Sequence, residues 1–555
     1  MKKTILVAMV LWTVSPMVGK ERTVEEKRLL VRSVIESRCM ARGKLSAQPQ
    51  TLAGNDVLTV MGYADGGFAI VANDDDLGGI IGYADGCFKM NSSLEWYINA
   101  ASEAMRMTQK ERSAVYMVSL CHEKLAETSI EPLLSSTWNQ KEPYNGLCPK
   151  DDKGNNYPSG CVATAMSQIM YYHKYPERGI GSKTYSFKPT DGQGKILSAN
   201  FAETTYCWTL MKDNYVYKSY TAEEAEAVAT LTLHCGVAVE MNYTPTGSGA
   251  YTTEARNGLI SNFGYHPNIG VFYRNYYSLS EWMRMVYTEL SQGRPIFYTG
   301  VDSSRGGHAF VIDGYDTDGL VHVNWGWGAD GGNGYFDIAL LNSSNGQFCD
   351  LQDMLLGVDK PEHDGIEYES HIVSDDDLTV SIFGTMLNVN AGDRLWNLCG
   401  FMWTGDLAIL LQAPSGQTYV LQRQTARDVI DRYNVRSKID GILGGFTKLP
   451  SDMVDGEYRL FVGAKNDHDN DWRLVRRPSN KVNSYIVTVM NGKPSVAEPQ
   501  TDDAWIRQTT DVSHPTINRT AYNNNSYDLQ GHKVGSNARG LVIEKQGNTV
   551  KKVVR

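Results

Sequence analysis

The chain has 555 residues, a net charge of −10 at pH 7, 42% apolar residues and 52 glycines. A single hydrophobic core rarely serves more than about 250–300 residues, so several domains are expected. The negative charge and the lack of a Lys- and Arg-rich block argue against a nucleic-acid partner. The nine cysteines include no C-x-x-C pair, which argues against structural zinc. Their odd number leaves at least one thiol unpaired in an exported protein.

Residues 1–19 have the pattern of a secretory signal peptide. Lys2 and Lys3 precede an apolar run from Ile5 to Val14, and small residues follow near Gly19. The run is about half as long as a membrane-spanning helix, and no later segment is long and apolar enough, so no transmembrane segment is predicted. We expect the mature protein to be secreted or held at the cell surface.

Residues 20–126 are predicted to form a small α+β unit with its own core. Two amphipathic segments, Thr23–Met40 and Ser93–Met117, predict helices at its two ends. Three strand-like runs separated by glycine and aspartate turns lie between them: Val57–Tyr63, Phe68–Ala72 and Gly79–Tyr83.

The remainder of the chain divides into four parts that differ in their pattern of apolar, polar and turn residues. Residues 127–360 mix helical and strand-like segments. Residues 365–495 change to short alternating runs spaced by turn residues, which is the pattern of a β-sandwich. Residues 496–525 are polar and poor in aliphatic side chains, which predicts a linker. Residues 526–555 read as a short β tail.

One cysteine, Cys161, lies at a helix start. Apolar residues at helical spacing follow it, Ser159 is a suitable N-cap, and Pro176 ends the helix. In the first helical turn the helix dipole and free backbone amides stabilise a thiolate, and the backbone N–H of Cys161 can serve as an oxyanion donor. Taken alone, however, a cysteine here is more often a small buried helix residue.

His308 provides a candidate base for this thiol. Two strand-like runs flank the turn Asp316–Gly319, the first containing His308 and the second ending at Asn324. If they pair as a hairpin, His308 lies roughly opposite Asn324, whose amide can hold one ring nitrogen and leave the other for the thiol. The separation of Cys161 from His308 falls within the roughly 130–150 residues typical of Cys–His–Asn peptidases.

Three more candidate side chains lie close to Asn324 in the sequence. Indole rings at Trp325 and Trp327 would exclude water beside an Asn–His contact, although ordinary core packing explains them equally well. His322 is the rival base. The sequence shows no obvious orienting partner for it, so a structural role is favoured.

Three ordered blocks carry a family resemblance: Ser159–Ala165, Gly307–Gly314 and His322–Gly328. They resemble the streptopain family of bacterial cysteine peptidases, within the papain-like superfamily, and the match covers roughly residues 20–358. The resemblance implies the α+β fold class. A papain-like cysteine peptidase domain would be preceded by an α+β inhibitory prodomain and, outside the match, followed by the β-sandwich domain.

The resemblance also implies roles. By position, Cys161 is the nucleophile, His308 the base, Asn324 the residue that orients the base, and Trp325 its shield. The implied activity is that of an endopeptidase made as a zymogen, with protein or peptide substrates and a hydrophobic preference at the second subsite. The resemblance implies no metal or other cofactor. It also implies that the prodomain of the chain acts as an intramolecular inhibitor.

The sequence departs from the pattern of the streptopain family at one position on the substrate side of the site. Thr299 stands where streptopain-type enzymes carry a glutamine, so the second oxyanion donor and the shape of the second subsite stay open. Asn155 or Asn156, just before the nucleophile, could supply a donor, and Trp327 could also face the substrate.

Activation and export give further expectations. The prodomain should lie across the active site and keep Cys161 and His308 apart or covered, until self-cleavage between about residues 118 and 132. The β tail resembles, in shortened form, the C-terminal sorting segments of secreted Bacteroidetes proteins, as would suit a multidomain precursor of that type.

Two other functions remain open. One is a non-catalytic surface-binding or adhesion protein that retains the fold, with the β-sandwich and tail carrying the function. The other is a thiol amidase or transglutaminase with the same constellation.

Overall fold

The computed structural model describes residues 20–39, 48–64, 66–111, 128–190, 192–216, 219–277, 279–302, 306–338, 352–363, 372–392, 395–398, 403–429, 443–467, 471–478, 480–500, 525–527, 533–534, 541–546 and 549–554. The predicted signal peptide and most of the predicted cleavage segment lie outside these residues. The chain divides into two compact units, Met1–Asp502 and Asp503–Arg555.

The first region of the larger unit follows the predicted order of elements. It contains α1 (Val24–Cys39), β1 (Gln50–Gly54), β2 (Leu58–Gly62), β3 (Phe68–Ala72), β4 (Ile80–Ala84) and α2 (Ser92–Glu111). A capping box begins α1: the Thr23 N–H donates to Glu26 Oε2 (2.6 Å), and the Glu26 N–H donates to Thr23 Oγ1 (3.3 Å). The two predicted helices, as far as the structure describes them, and the three predicted strands are confirmed, whereas β1 is additional.

The middle region alternates helices and strands. Its elements are α3 (Cys161–His173), β5 (Ser182–Phe187), β6 (Lys195–Asn200), α4 (Ala222–Ala238), α5 (Thr252–Ser261), β7 (Gly270–Tyr273), α6 (Leu279–Ser291), β8 (Ile296–Asp302), β9 (Gly306–Tyr315), β10 (Val321–Asn324), β11 (Gly334–Phe336) and β12 (Asp353–Leu356). A sheet of the order β1-β2-β3-β4-β11-β10-β9-β8-β12-β7 runs through both regions. Antiparallel pairing of β4 with β11 joins them, with Tyr83 opposite Tyr335.

Residues 20–126 have only part of their core to themselves: α1 packs on β2–β4 in a small cluster that includes Val31 and Ile35, and the rest is shared with the middle region. Trp96 and Tyr97 on α2 belong to one buried cluster with Phe310 and Trp325 of the middle region. The reason is the continuous sheet. Once β4 pairs with β11, the strands of both regions present one apolar face, and α2 covers it.

The other face of this sheet packs on α3, α4 and α5. Alternation along the strands divides the side chains between the two faces. Phe297 and Val311 join the cluster formed with these helices, whereas their neighbours Ile296 and Ile312 join the cluster that contains α2. Cys161 and α3 therefore lie on the face of the sheet opposite to α2.

The third region is built of strands. They are β13 (Ile372–Ser374), β14 (Thr379–Phe383), β15 (Met386–Asn390), β16 (Leu395–Asn397), β17 (Trp403–Gln412), β18 (Thr418–Val429), β19 (Gly444–Lys448), β20 (Gly456–Asn466), β21 (Arg473–Leu474), β22 (Ser484–Met490) and β23 (Lys493–Gln500). Sheets of the order β14-β15-β19 and β18-β17-β20-β22-β23 share one apolar core. The predicted linker at 496–525 begins too early, because β23 continues to Gln500.

The smaller unit contains a sheet of the order β25-β24-β26-β27. Its strands are β24 (Asn525–Tyr527), β25 (Lys533–Val534), β26 (Leu541–Gln546) and β27 (Thr549–Val554). Over the part of the chain that the structure describes, no helix combines the length and the apolar character needed to cross a membrane.

A buried ion pair connects α6 to the start of β8. Arg294 Nη2 donates to Glu289 Oε1 (2.7 Å) and Arg294 Nε donates to Glu289 Oε2 (2.9 Å). The Gly357 N–H also donates to Glu289 Oε2 (2.9 Å), beside the end of β12. The two side chains are only 8% and 1% exposed, so each charge depends on the other for solvation.

We predict that Arg294→Met lowers the free energy of unfolding by about 3–5 kcal/mol, because it leaves the Glu289 carboxylate buried without a counter-charge. Chemical denaturation of the purified chain measures the change. Arg284→Met is the matched control, since Arg284 is exposed on the same helix and its loss should change stability by less than about 0.5 kcal/mol. Equal effects of the two substitutions would contradict the prediction.

Candidate active site

Cys161 is the first residue of α3, as predicted, but the cap differs. The N-cap is Gly160, with φ of 90° and no side-chain capping bond, so the predicted capping role of Ser159 is wrong. The positive φ favours glycine. A Cβ at Gly160 would also lie 2.7 Å from Met241 Sδ and 2.9 Å from the Ser248 carbonyl oxygen. Glycine is therefore required directly before the cysteine.

The Cys161 thiol is half-buried and surrounded by backbone amides. Burial raises its pKa above the ordinary value, while hydrogen bonds from the backbone N–H groups of Ala309, Val162 and Cys161 itself lower it. The contact with Ala309 places the thiol beside the residue that follows His308. The His308 ring itself stacks on Phe310 and Trp327, which belong to the cluster that contains α2, and among the described residues no hydrogen bond joins this ring to the Cys161 thiol.

The His308 ring is oriented by a backbone carbonyl. Its Nε2 donates to the carbonyl oxygen of Trp325 at 2.9 Å. A carbonyl only accepts, so this bond assigns the proton to Nε2 and leaves Nδ1 free to act as a base. Burial lowers the pKa of His308 to about 4, against the opposing effect of the Trp325 carbonyl. The imidazole is therefore neutral at pH 7 in this structure.

The predicted contact between Asn324 and His308 is wrong. In the β9–β10 hairpin Asn324 pairs with Val311, and a bulge between His322 and Val323 shifts the register. The Asn324 amide is instead buried away from the ring. Its Nδ2 donates to the Ser136 carbonyl oxygen at 2.7 Å, and its Oδ1 accepts from the Gly326 N–H at 3.2 Å.

Gln168 completes the network around Asn324 and is not among the residues that the sequence predicts. The two side-chain amides exchange hydrogen bonds of 3.2 Å in both directions. Gln168 Oε1 also accepts from the Trp138 N–H at 3.1 Å, and the residue is fully buried. The available signal was its spacing, because Gln168 lies two helical turns after Cys161 on the same face of α3.

Trp325 and Trp327 contact His308 in different ways, and the shielding role predicted for Trp325 is affected. Trp327 is the ring that stacks on His308, with ring centroids 5.5 Å apart and planes 11° apart. The Trp325 ring packs instead against Phe310, at 4.9 Å between centroids, and is 1% exposed. Trp325 therefore acts on His308 through its carbonyl, and the predicted shielding ring belongs to Trp327.

His322 has a hydrogen-bond partner that the sequence did not indicate. Its Nδ1 donates to Asp313 Oδ1 at 2.6 Å, and the other Asp313 oxygen accepts from the Leu134 N–H at 3.1 Å. This pair ties the chain that enters the middle region to the hairpin. A structural role fits these contacts.

The candidate oxyanion donors before Cys161 are already engaged. Asn155 Nδ2 donates to Asp151 Oδ2 at 3.0 Å, and Asn156 Nδ2 donates to the Asn145 carbonyl oxygen at 2.7 Å. Both amides thus close their own loop, which does not support the predicted donor role.

Thr299 lies on the same side of the sheet as the thiol. It pairs with Ala309 in the β8–β9 ladder, and its hydroxyl donates to Asp353 Oδ1 at 2.5 Å. Burial raises the pKa of Asp353 to about 6, although the threonine hydroxyl bonds oppose the shift.

Helix α2 contacts the elements that hold His308. Trp327 Nε1 donates to Ser93 Oγ at 2.6 Å. Gly300, which pairs with His308, lies against the Trp96 ring, and a Cβ there would come within 2.5 Å of that ring. The N-terminal region therefore packs on both the strand and the loop that position the base.

Comparison with known proteins places this site in a family. The model of the "Peptidase C10 family" matches residues 138–336. The thiol protease/hemagglutinin PrtT of Porphyromonas gingivalis is 29% identical over 402 residues, covering 70% of this chain. The chain spans only 44% of the length of PrtT. Streptopain of Streptococcus pyogenes is 33% identical over 319 residues, covering 53% of this chain and 76% of streptopain.

A solved structure of a Prevotella intermedia prointerpain A fragment is 42% identical, with a TM-score of 0.50. The match covers 56% of this chain and 98% of the fragment. The resemblance to streptopain and the mixed helix and strand class are thereby confirmed. The matched family model contains Cys161 and His308, and the chain belongs to the peptidase C10 family of cysteine peptidases.

Proposed function

We propose that the chain is a secreted or surface-held cysteine endopeptidase made as an inactive precursor. Cys161 is the nucleophile and His308 is the general base. The observation that carries this proposal is the His308 Nε2 bond to the Trp325 carbonyl, together with a thiol at the start of α3 that contacts the backbone of Ala309, the residue after His308. A non-catalytic adhesion protein would have no need of this arrangement.

The proposed reaction follows this sequence of steps. Nδ1 of His308 accepts the thiol proton, and the Cys161 sulfur attacks the carbonyl carbon of the scissile peptide bond. The backbone N–H of Cys161 stabilises the resulting oxyanion. His308 then gives its proton to the leaving amine, which forms an acyl-enzyme thioester. Water deprotonated by His308 hydrolyses the thioester and restores the thiol.

The precursor form holds this pair uncharged. The pKa of Cys161 is raised and that of His308 is lowered, both mainly by burial, so neither the thiolate nor the imidazolium is favoured. We infer that residues 20–126 act as the intramolecular inhibitor. Trp96 and Ser93 on α2 hold the strand and the loop around His308 and help to keep water away. Removal of α2 would rehydrate the ring.

The segment after the prodomain limits where self-cleavage can occur. The Ile130 N–H donates to the Tyr315 carbonyl oxygen at 2.9 Å, and the Tyr315 N–H donates back at 2.9 Å. The Leu133 N–H then donates to the Asp313 carbonyl oxygen at 2.8 Å. Cleavage after Ile130 would break this pairing. We therefore narrow the predicted segment of about residues 118–132 to its part before Ile130.

The remaining regions are assigned by the same proposal. Residues 365–495 are a β-sandwich domain that binds or spaces, and residues 526–555 are a C-terminal sorting segment. The family resemblance adds a hydrophobic preference at the second subsite. Thiol amidase or transglutaminase activity is the second candidate, because the same nucleophile and base would serve it.

We predict that the wild-type chain, purified and incubated in reducing buffer, sheds roughly 100 residues with cuts before Ile130. The Cys161→Ala chain should stay intact until active wild-type enzyme is added. Mass spectrometry of both chains over time measures the cuts.

The matched control is Cys207→Ala, which removes an exposed free thiol of the same region. It should mature at the wild-type rate. A Cys161→Ala chain that matures alone at that rate would show that another protease performs the cleavage.

We predict that Asn324→Ala and Gln168→Ala each lower kcat/KM for a peptide substrate by about one to three orders of magnitude. Both substitutions loosen the network that fixes the loop carrying the Trp325 carbonyl. Steady-state kinetics, with active sites counted by titration, measures the loss. His308→Ala should cost more than either.

His322→Ala is the control for this pair of substitutions, because His322 contacts Asp313 and not the Trp325 loop. A larger loss for His322→Ala than for His308→Ala would mean that the base is wrongly assigned. An effect of Asn324→Ala without any effect of Gln168→Ala would show that Asn324 acts on His308 directly.

A further inference from the structure

A carboxylate lies on the substrate side of the proposed site. Asp353 begins β12 and pairs with Thr299 of β8. Its Oδ1 accepts from Thr299 Oγ1 at 2.5 Å and from Thr252 Oγ1 at 2.6 Å. Asp353 and Thr299 are half-buried and Thr252 is buried. These three residues are named here the Asp353 pocket.

The pocket faces the same side of the sheet as the nucleophile. Paired residues of neighbouring strands project to one face. Asp353 pairs with Thr299, and Thr299 pairs with Ala309. The Ala309 N–H is one of the backbone groups that contact the Cys161 thiol, and the only one of them from β9. One row of paired positions therefore runs from the residue beside the nucleophile to Asp353.

A shared segment bounds both the pocket and the nucleophile. Thr252 is the first residue of α5, and residues 247–250 come shortly before it. In that segment Ser248 Oγ donates to the Pro158 carbonyl oxygen at 2.7 Å, and the Ser248 carbonyl oxygen packs against Gly160. A peptide lying across Cys161 would therefore pass along this segment toward Asp353.

The carboxylate lacks a counter-charge within the protein. Both of its bonds to described residues come from neutral hydroxyls and fall on Oδ1. Over the described residues, no lysine, arginine or histidine lies within ion-pair distance of Asp353. A partly buried carboxylate without a cation is costly, so a bound cation would be stabilised there.

We propose that the Asp353 pocket is a specificity subsite that binds a lysine or arginine side chain of the peptide substrate, through an ion pair at Asp353 Oδ2. The proposal rests on the proposed peptidase function and names part of its substrate class. The hydrogen bonds from Thr252 and Thr299 to Oδ1 fix the orientation of the Asp353 carboxylate. They thereby fix the position of Oδ2, which would contact the substrate cation. A purely structural clamp between α5 and β8 is the competing explanation.

The test uses the full chain after maturation at pH 7.5, with a fluorogenic peptide library randomised at one position at a time. Asp353→Asn keeps an acceptor oxygen for both threonines and removes only the charge. Asp318→Asn is the matched control. Asp318 is exposed in the turn after β9, roughly 20 Å from His308 along a strand of about 3.3 Å per residue. Active-site titration normalises all rates.

We expect one position at which the wild type prefers arginine or lysine over leucine. Asp353→Asn should lower kcat/KM for the basic substrates by about 10- to 100-fold and change the leucine substrates by less than about threefold. Asp318→Asn should reproduce the wild-type profile. If the position is the second one, this basic selection replaces the hydrophobic preference carried over from the family.

Three results would overturn the proposal. The first is an active wild type with no basic preference at any position. The second is a basic preference that Asp353→Asn leaves unchanged. The third is an equal loss on basic and leucine substrates, which would show a structural clamp. Failure of the proposed function is distinguishable, because the wild type would then hydrolyse no library member at all.

Discussion

The hydrogen bond from His308 Nε2 to the Trp325 carbonyl is the contact on which the proposed chemistry depends. It fixes the tautomer of the ring and leaves Nδ1 unprotonated. A backbone acceptor is only as well placed as its loop. The Asn324–Gln168 pair holds this loop from within the domain, and α2 contacts it from outside. The proposed orientation of the base and its proposed regulation thus depend on the same short segment.

In the proposed precursor, burial would keep the two residues inactive until α2 is removed. A dry environment disfavours both the Cys161 thiolate and the His308 imidazolium. On the His308 side α2 contributes to this burial, because Trp96 lies against Gly300 and Ser93 accepts a hydrogen bond from Trp327. Loss of α2 would hydrate the histidine side of the pair and leave the helix start to stabilise the thiolate. The continuous sheet makes this inhibition a matter of packing between regions.

Local sequence patterns predict much of the fold and the positions of the two candidate reactive residues in it. The helix at Cys161, the hairpin turn after Asp313 and the strands of the N-terminal region follow from spacing and turn residues alone. The hydrogen-bond partners of Cys161 and His308 do not follow from these local patterns. A single bulge between His322 and Val323 pairs Asn324 with Val311 instead of Ile312, which turns its side chain to the face of the sheet opposite to that of Phe310 and His308. Sequence spacing does not reveal such a bulge, nor that β4 pairs with β11.

The most direct test of this account is to label the matured chain with a peptidyl chloromethyl ketone at pH 6 and map the modified residue by mass spectrometry. The account predicts one label per chain, on Cys161, in proportion to the loss of peptide hydrolysis. It also predicts no comparable label on Cys207, which is an exposed thiol without a base. Hydrolysis that persists after Cys161 is fully labelled, or that is lost through a label elsewhere, would contradict the account.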